Sequence, residues 1–191
     1  MSLKRINHPF DTDQSGITLV ELIITLAIIG IFTTQVIPFI QDSVEKTRLK
    51  GAIEKLYADL QFARNYAITQ SKPTYLSFKP QGIRWCYGID DQANCDCDIP
   101  GDCAINGLEK TTTFNEFNGI HLIKAKFGSH QYTAFDPARG TSQAGGLNNG
   151  TAWFTSSKGY TAAVIVTRLG RIRICSPKLA NYSKKCPQQP K

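Results

Sequence analysis

No aspartate or glutamate occurs after Asp136. Residues 137–191 carry Arg139, Lys158, Arg168, Arg171, Arg173, Lys178, Lys184, Lys185 and Lys191 against no acid, a local charge of +9. That leaves −2 for the first 136 residues of a chain whose total is +7. A segment without negative charge attracts polyanions, so the C-terminal third is the first candidate for a binding region. Histidine is also scarce, with only His8, His121 and His130, and no HExxH, GxSxG or P-loop pattern is present. The common metalloprotease, serine hydrolase and nucleotide-triphosphatase designs are therefore excluded, and the chain reads as a non-enzyme without cofactor or metal. Internal repeats and a second domain are missing as well. At 191 residues, 41% hydrophobic and 19% charged, the chain is one folded domain plus roughly 30–40 further residues, neither disordered nor collagen-like.

The extra residues lie at the N-terminus. Residues 17–40 form an apolar run of 24 with one charge, Glu21. As a helix this run spans roughly 36 Å, enough to cross a bilayer. The polar segment before it carries Lys4 and Arg5, the pattern of a cytoplasmic flank. A carboxylate at the start of such a helix costs about 2.5–3.5 kcal/mol at the bilayer centre, so Glu21 reads as a functional group rather than a neutral passenger.

Ser15-Gly16-Ile17-Thr18-Leu19-Val20-Glu21-Leu22 resembles the processing signal of the type IV pilin superfamily. The resemblance implies cleavage after Gly16 by a prepilin peptidase and methylation of the new N-terminus on Ile17, where many pilins have Phe. It also implies that Glu21, fifth in the mature chain, neutralises the N-terminal amine of a neighbouring subunit in the filament. Such pairing is what a buried charge requires. Pro38 stands where family members often carry a helix-loosening proline. The implied organisation is a leader over 1–16, a transmembrane and filament-core helix over 17–40, its amphipathic continuation over 41–72, and a β-rich head over 73–191. Localisation follows: inner membrane, single pass with the head in the periplasm, then the pilus and cell surface.

From Asp42 to Ile68 the residues Leu49, Ile53, Leu56, Leu60, Ala63 and Ala67 recur at three- and four-residue steps among charged residues, which predicts a continued helix. Gly51 weakens it locally, and Pro73 ends it near residue 70. Beyond that point the period falls to two. Thr74–Phe78 and Ile83–Tyr87 predict a hairpin around Lys79-Pro80-Gln81-Gly82, followed by a Cys- and Asp-rich loop over 90–108. Further strands are expected near 111–117, 120–127, 131–135, 153–155, 162–167 and 171–175. A Gly/Asn/Ser-rich stretch covers 140–150. The fold class is α+β, one long helix packed on an antiparallel sheet.

Leu60-Gln61-Phe62-Ala63-Arg64-Asn65-Tyr66-Ala67 resembles the helix signature of the GspH/FimT group of minor pilins and pseudopilins, with Tyr66 where an acid is usual. An extracytoplasmic head makes disulfides the natural state of the six cysteines. The CxC of Cys95 and Cys97 without a nearby histidine is poor for zinc, and the aspartates lack a calcium loop's alternation. Cys175 and Cys186 are read as one pair; Cys86, Cys95, Cys97 and Cys103 leave three connectivities open.

If 171–175 is a strand, Arg171, Arg173 and Cys175 share one face while Ile172 and Ile174 share the other. Arg168 lies in the preceding turn, and Lys178, Lys184 and Lys185 follow on the loop. Arginines on a rigid strand suit phosphate oxygens, and loop lysines add counterion release without base specificity. Tyr160 and Tyr182 read first as core or surface residues, with stacking on bases as the alternative. Gly170-Arg171-Ile172-Arg173 matches the C-terminal GRxR of FimT-type minor pilins, where that motif is associated with binding incoming DNA. The resemblance thus implies a DNA-binding minor pilin with other pilins, the peptidase and DNA as partners. The alternative is a structural H-type pseudopilin of a type II secretion system.

Overall fold

The computed structural model describes residues 16–142 and 149–188, and within them the side chains of 34–39 are excepted. Two units, Met1–Ile40 and Gln41–Lys191, are described in turn. In the first, residues 16–18 are non-helical and helix α1 (Leu19–Gln70) begins at Leu19. The Thr18 hydroxyl accepts from the Glu21 amide at 3.2 Å, satisfying one free donor of the first turn. Thr25 and Thr33 donate to the carbonyls of Leu22 and Gly30, so their hydroxyls do not interrupt the apolar surface. Ile17, Leu19, Leu22, Ile23, Leu26 and Ile29 are all more than half exposed, a continuous apolar surface that requires a partner. Among the described residues no helix is long and apolar enough to cross a membrane. Ile40 at the end of this unit is exposed as well, and the side chains of 34–39, including Pro38, lie outside the description.

In the second unit α1 continues to Gln70. Leu49, Ile53, Leu56, Leu60, Ala63 and Ala67 are fully buried, and beside this stripe Lys46 pairs with Asp42, Lys50 with Glu54 and Lys55 with Asp59 at four-residue spacing. Gly51 leaves space for the Phe117 ring, which lies 3.4 Å from where a Cβ would stand. The helix ends as Ser71 enters the left-handed region and the Lys72 amide returns to the Ala67 carbonyl at 3.2 Å.

The strands are β1 (Thr74–Lys79), β2 (Cys86–Asp90), β3 (Ala104–Ile105), β4 (Leu108–Glu109), β5 (Thr111–Thr113), β6 (Ile120–Phe127), β7 (Tyr132–Phe135), β8 (Gly150–Ser156), β9 (Thr161–Val166) and β10 (Ile172–Cys175). They form two four-stranded antiparallel sheets, β5-β2-β1-β7 and β10-β9-β8-β6, and a two-stranded ribbon of β3 and β4. The head is therefore divided where a single sheet was expected. β2 starts three residues later than the hairpin reading placed it, because Gly82 bridges to Leu122 of the other sheet and Ile83 is exposed. The expected strand at 111–117 is cut short by a 3₁₀ turn, Phe114–Glu116.

Helix leucines, Leu76 and Phe78 of the first sheet, and Phe127, Phe154, Val164 and Ile172 of the second share one core. Phe78 stacks on Phe127 with ring centroids 5.1 Å apart, and the buried Trp85 indole N–H donates to the Ile120 carbonyl at 2.7 Å. Bridge Cys86–Cys97 ties the 90–109 segment to β2, and Cys95–Cys103 closes that segment on itself. The acids of that segment are engaged internally. Asp96 and Asp98 hold the Lys79 ammonium, whose pKa they raise through hydrogen bonds, and Asp90 accepts from the amides of Gln92 and Ala104.

Candidate nucleic-acid interface

The β9–β10 connection is a tight hairpin loop. The Gly170 amide donates to the Thr167 carbonyl at 2.9 Å and the Thr167 amide to the Arg171 carbonyl at 2.9 Å, with Gly170 at φ +73°. That is the pattern of a type I turn closed by a left-handed glycine bulge. Arg168, Leu169 and Arg171 project from it, and Leu169 is 77% exposed. Arg171 precedes β10 rather than lying within it. Arg173 is exposed on the strand, Ile172 is buried in the core, and Ile174 is half-buried beside it.

This turn is braced from the helix. The Arg64 Nε–H donates to the Gly140 carbonyl at 3.0 Å, and a Cβ on Gly170 would stand 1.9 Å from that same oxygen. The Ser142 amide donates to the Arg168 carbonyl at 3.1 Å, and the Arg168 amide to the Asn149 side chain at 2.9 Å. The arginine of the helix signature and the glycine of the C-terminal motif thus meet at one backbone carbonyl. Gly170 shapes the motif, and the arginines carry its charge.

The six expected cations do not make one cluster. Cys175 and Cys186 are bridged, with Cα atoms 5.5 Å apart, and Lys184 and Lys185 are exposed on the loop so closed. Ser183 lies beside Cys175 in a parallel bridge, and its carbonyl accepts from Ser176 at 3.0 Å, so this loop follows the free edge of β10. Lys178 is elsewhere: its ammonium stands 5.6 Å from the Tyr160 ring centroid, and with Lys46 and Lys50 it lines a cavity of about 330 Å³ against α1. Both tyrosines are partly buried against the core and anchored by their hydroxyls. The Tyr160 hydroxyl donates to Asp42, and Tyr182 donates to Glu54 at 2.6 Å. Hydrogen bonds from Lys46 and then Tyr160 lower the Asp42 pKa. Burial and then the Glu54 hydrogen bond push the Tyr182 hydroxyl well up.

No ion pair among the described residues involves Arg168, Arg171, Arg173, Lys178, Lys184 or Lys185. The four strands of the second sheet contain no acidic residue. They do contain two exposed lysines outside the C-terminal third, Lys124 and Lys126 of β6. These escape a charge count taken by segment. The alternation Lys124-Ala125-Lys126-Phe127 is the signal that finds them.

Comparison with known proteins gives the class of this chain. A family model for the prokaryotic N-terminal methylation motif matches residues 11–34, and one described as type II transport protein GspH matches residues 52–170. The chain belongs to the GspH family. A fimbrial protein of Pseudomonas aeruginosa is 34% identical over 83 residues, which are 44% of this chain and 53% of that protein. The chain thus spans about half the length of the curated relatives it matches. The P. aeruginosa type IV minor pilin FimU superposes with a TM-score of 0.49 at 20% identity, over 74% of this chain and 98% of that one. The minor pseudopilin EpsH from the type 2 secretion system of Vibrio cholerae gives 0.47 at 14% identity, over 69% and 99%.

Proposed function

We propose that the chain is a minor type IV pilin that binds DNA without sequence preference through its basic C-terminal region during DNA uptake. The observation that carries this reading is the set of exposed arginines on a braced turn and edge strand, with no ion-pair partner among the described residues. Arginine keeps its charge at any physiological pH and offers paired donors to phosphate oxygens, so such a surface is matched to a duplex backbone. Lys184 and Lys185 on the disulfide-closed loop add counterion release. Lys178, turned toward α1, contributes from a distance.

The N-terminal unit fits filament assembly. Gly16 and Ile17 are exposed and precede the helix, which leaves the bond between them open to a prepilin peptidase and the Ile17 amine to methylation. Glu21 lies in the first turn, where in this reading it pairs with a neighbour's N-terminus, and the exposed apolar residues after it would be covered by lipid before assembly and by other pilin helices afterwards. On this reading the chain sits in the inner membrane, single pass with its head in the periplasm, before it enters the pilus.

A second reading rests on the matched family itself: a structural H-type pseudopilin of a type II secretion system. The two separate in the cell. With Arg171→Gln/Arg173→Gln at the native locus, uptake of labelled DNA is expected to be lost while filament number and protein secretion stay at wild-type levels. Loss of secretion with DNA uptake unchanged selects the pseudopilin.

A further inference from the structure

The registers of the second sheet place four residues in one row across its outer face: Arg173 opposite Ile165, Ile165 opposite Thr151, and Thr151 opposite Lys126. The neighbouring row reads Cys175, Ala163, Trp153, Lys124. Three strand spacings of about 4.8 Å separate the ends of a row by about 14 Å, and the rows are about 7 Å apart. Lys124 and Lys126 are exposed, whereas Ala125 and Phe127 point into the core, so both lysines stand on the same face as Arg173. Between the two cationic edges the face is neutral. Trp153, Ala163 and Ile165 are nearly buried there against the Cys175–Cys186 bridge. Pro187 and Gln188, just after that bridge, line a cavity of about 310 Å³ together with Trp153, Lys124 and Lys126.

We propose that Lys124 and Lys126 form a second phosphate-binding edge, so that a nucleic acid duplex lies across the outer face of the second sheet, held by β6 on one side and by Arg171 and Arg173 on the other. This rests on the DNA-binding reading above and extends it to residues outside the basic tail. Three observations support a duplex rather than a single strand. The edges are about 14 Å apart, comparable with a major groove about 12 Å wide. Cations occupy both edges and no acid lies between them. The covered strip between the edges offers no exposed aromatic ring for unpaired bases, since Trp153 is only 5% exposed. Phosphates of the two strands would meet the two edges, with Pro187 and Gln188 lying in the groove between them.

The test uses the full chain in nonionic detergent and a fluorescent 20-base-pair duplex, with binding followed by anisotropy across a salt series. Lys124→Gln/Lys126→Gln removes two phosphate contacts. The log–log salt slope is expected to become shallower by about 1.8, and affinity at 0.1 M salt to fall about 60-fold, while Lys124→Arg/Lys126→Arg retains both. Lys72→Gln/Lys110→Gln, an equal charge change at two exposed positions away from this sheet, is expected to change the slope little. Wild-type slope and affinity in Lys124→Gln/Lys126→Gln, with binding lost in Arg171→Gln/Arg173→Gln, overturns the second edge and leaves the DNA-binding reading intact. An equal loss in Lys72→Gln/Lys110→Gln, or equal binding of the single strand and the duplex, also overturns it. If the folded wild type binds no duplex, both readings fall together.

Discussion

Gly170→Ala tests whether the turn that presents Arg168 and Arg171 is held as described. Two costs add at this position. A non-glycine residue at φ +73° pays about 1–2 kcal/mol for the left-handed conformation. The added Cβ also meets the Gly140 carbonyl oxygen at 1.9 Å, a backbone atom that no rotamer change can move aside. Relief requires the turn and the 140 segment to separate, which sacrifices the Arg64 hydrogen bond to Gly140, worth about 1.5 kcal/mol for a charged donor. The expected loss is about 3 kcal/mol, or roughly 6–12 °C in melting temperature for a chain of this size. Gly159→Ala is the internal control, because Gly159 has φ +75° and nothing within 4 Å of a Cβ. It should cost only the conformational part, about 1–2 kcal/mol. Thermal unfolding followed by fluorescence of the buried Trp85 and Trp153 reads both variants. Equal losses in the two, or a tolerated Gly170→Ala, refute the close approach and with it the bracing of the turn.

Three further outcomes are expected. Replacing Cys175 and Cys186 together by serine frees an 11-residue separation and should lower stability by about 3 kcal/mol in urea titration, since the bridge acts chiefly on the unfolded chain. Leu56→Ala, at a fully buried position in the shared core, should cost about 2–5 kcal/mol by the same measurement. The Asp42 carboxyl has a folded pKa below its ordinary 3.8, so it stabilises the fold at higher pH and that contribution disappears as pH falls through the depressed value. The stability advantage of wild type over Asp42→Asn should therefore be constant at neutral pH, shrink below about pH 4 and vanish in stronger acid. An advantage that persists in strong acid contradicts the Lys46–Asp42–Tyr160 arrangement.

Elements whose pattern is local were legible in the sequence. The helical stripe from Leu49 to Ala67 and the strand at 120–127 show their periods directly, and the structure places them at those residues. What the sequence does not display is pairing at a distance. The division into two sheets depends on β7 joining β1 and on β6 joining β8, through pairs such as Thr74 with Phe135, 61 positions apart, and Phe127 with Gly150, 23 positions apart. Tyr160 and Tyr182 look available for stacking until their acidic partners, 118 and 128 positions away, are located. Lys124 and Lys126 are hidden for the same reason. The charge count stops being informative at Asp136, whereas the basic face is assembled by register from strands on both sides of it.

The most direct measurement of the central claim is the salt dependence of duplex binding by the wild-type full chain beside Arg171→Gln/Arg173→Gln. About five phosphate contacts correspond to a log–log slope near −4.5, and removing the two arginines should bring it near −2.7 with the melting temperature unchanged. A folded wild-type chain that does not bind duplex at low salt, or an arginine variant that binds with the wild-type slope, contradicts the account.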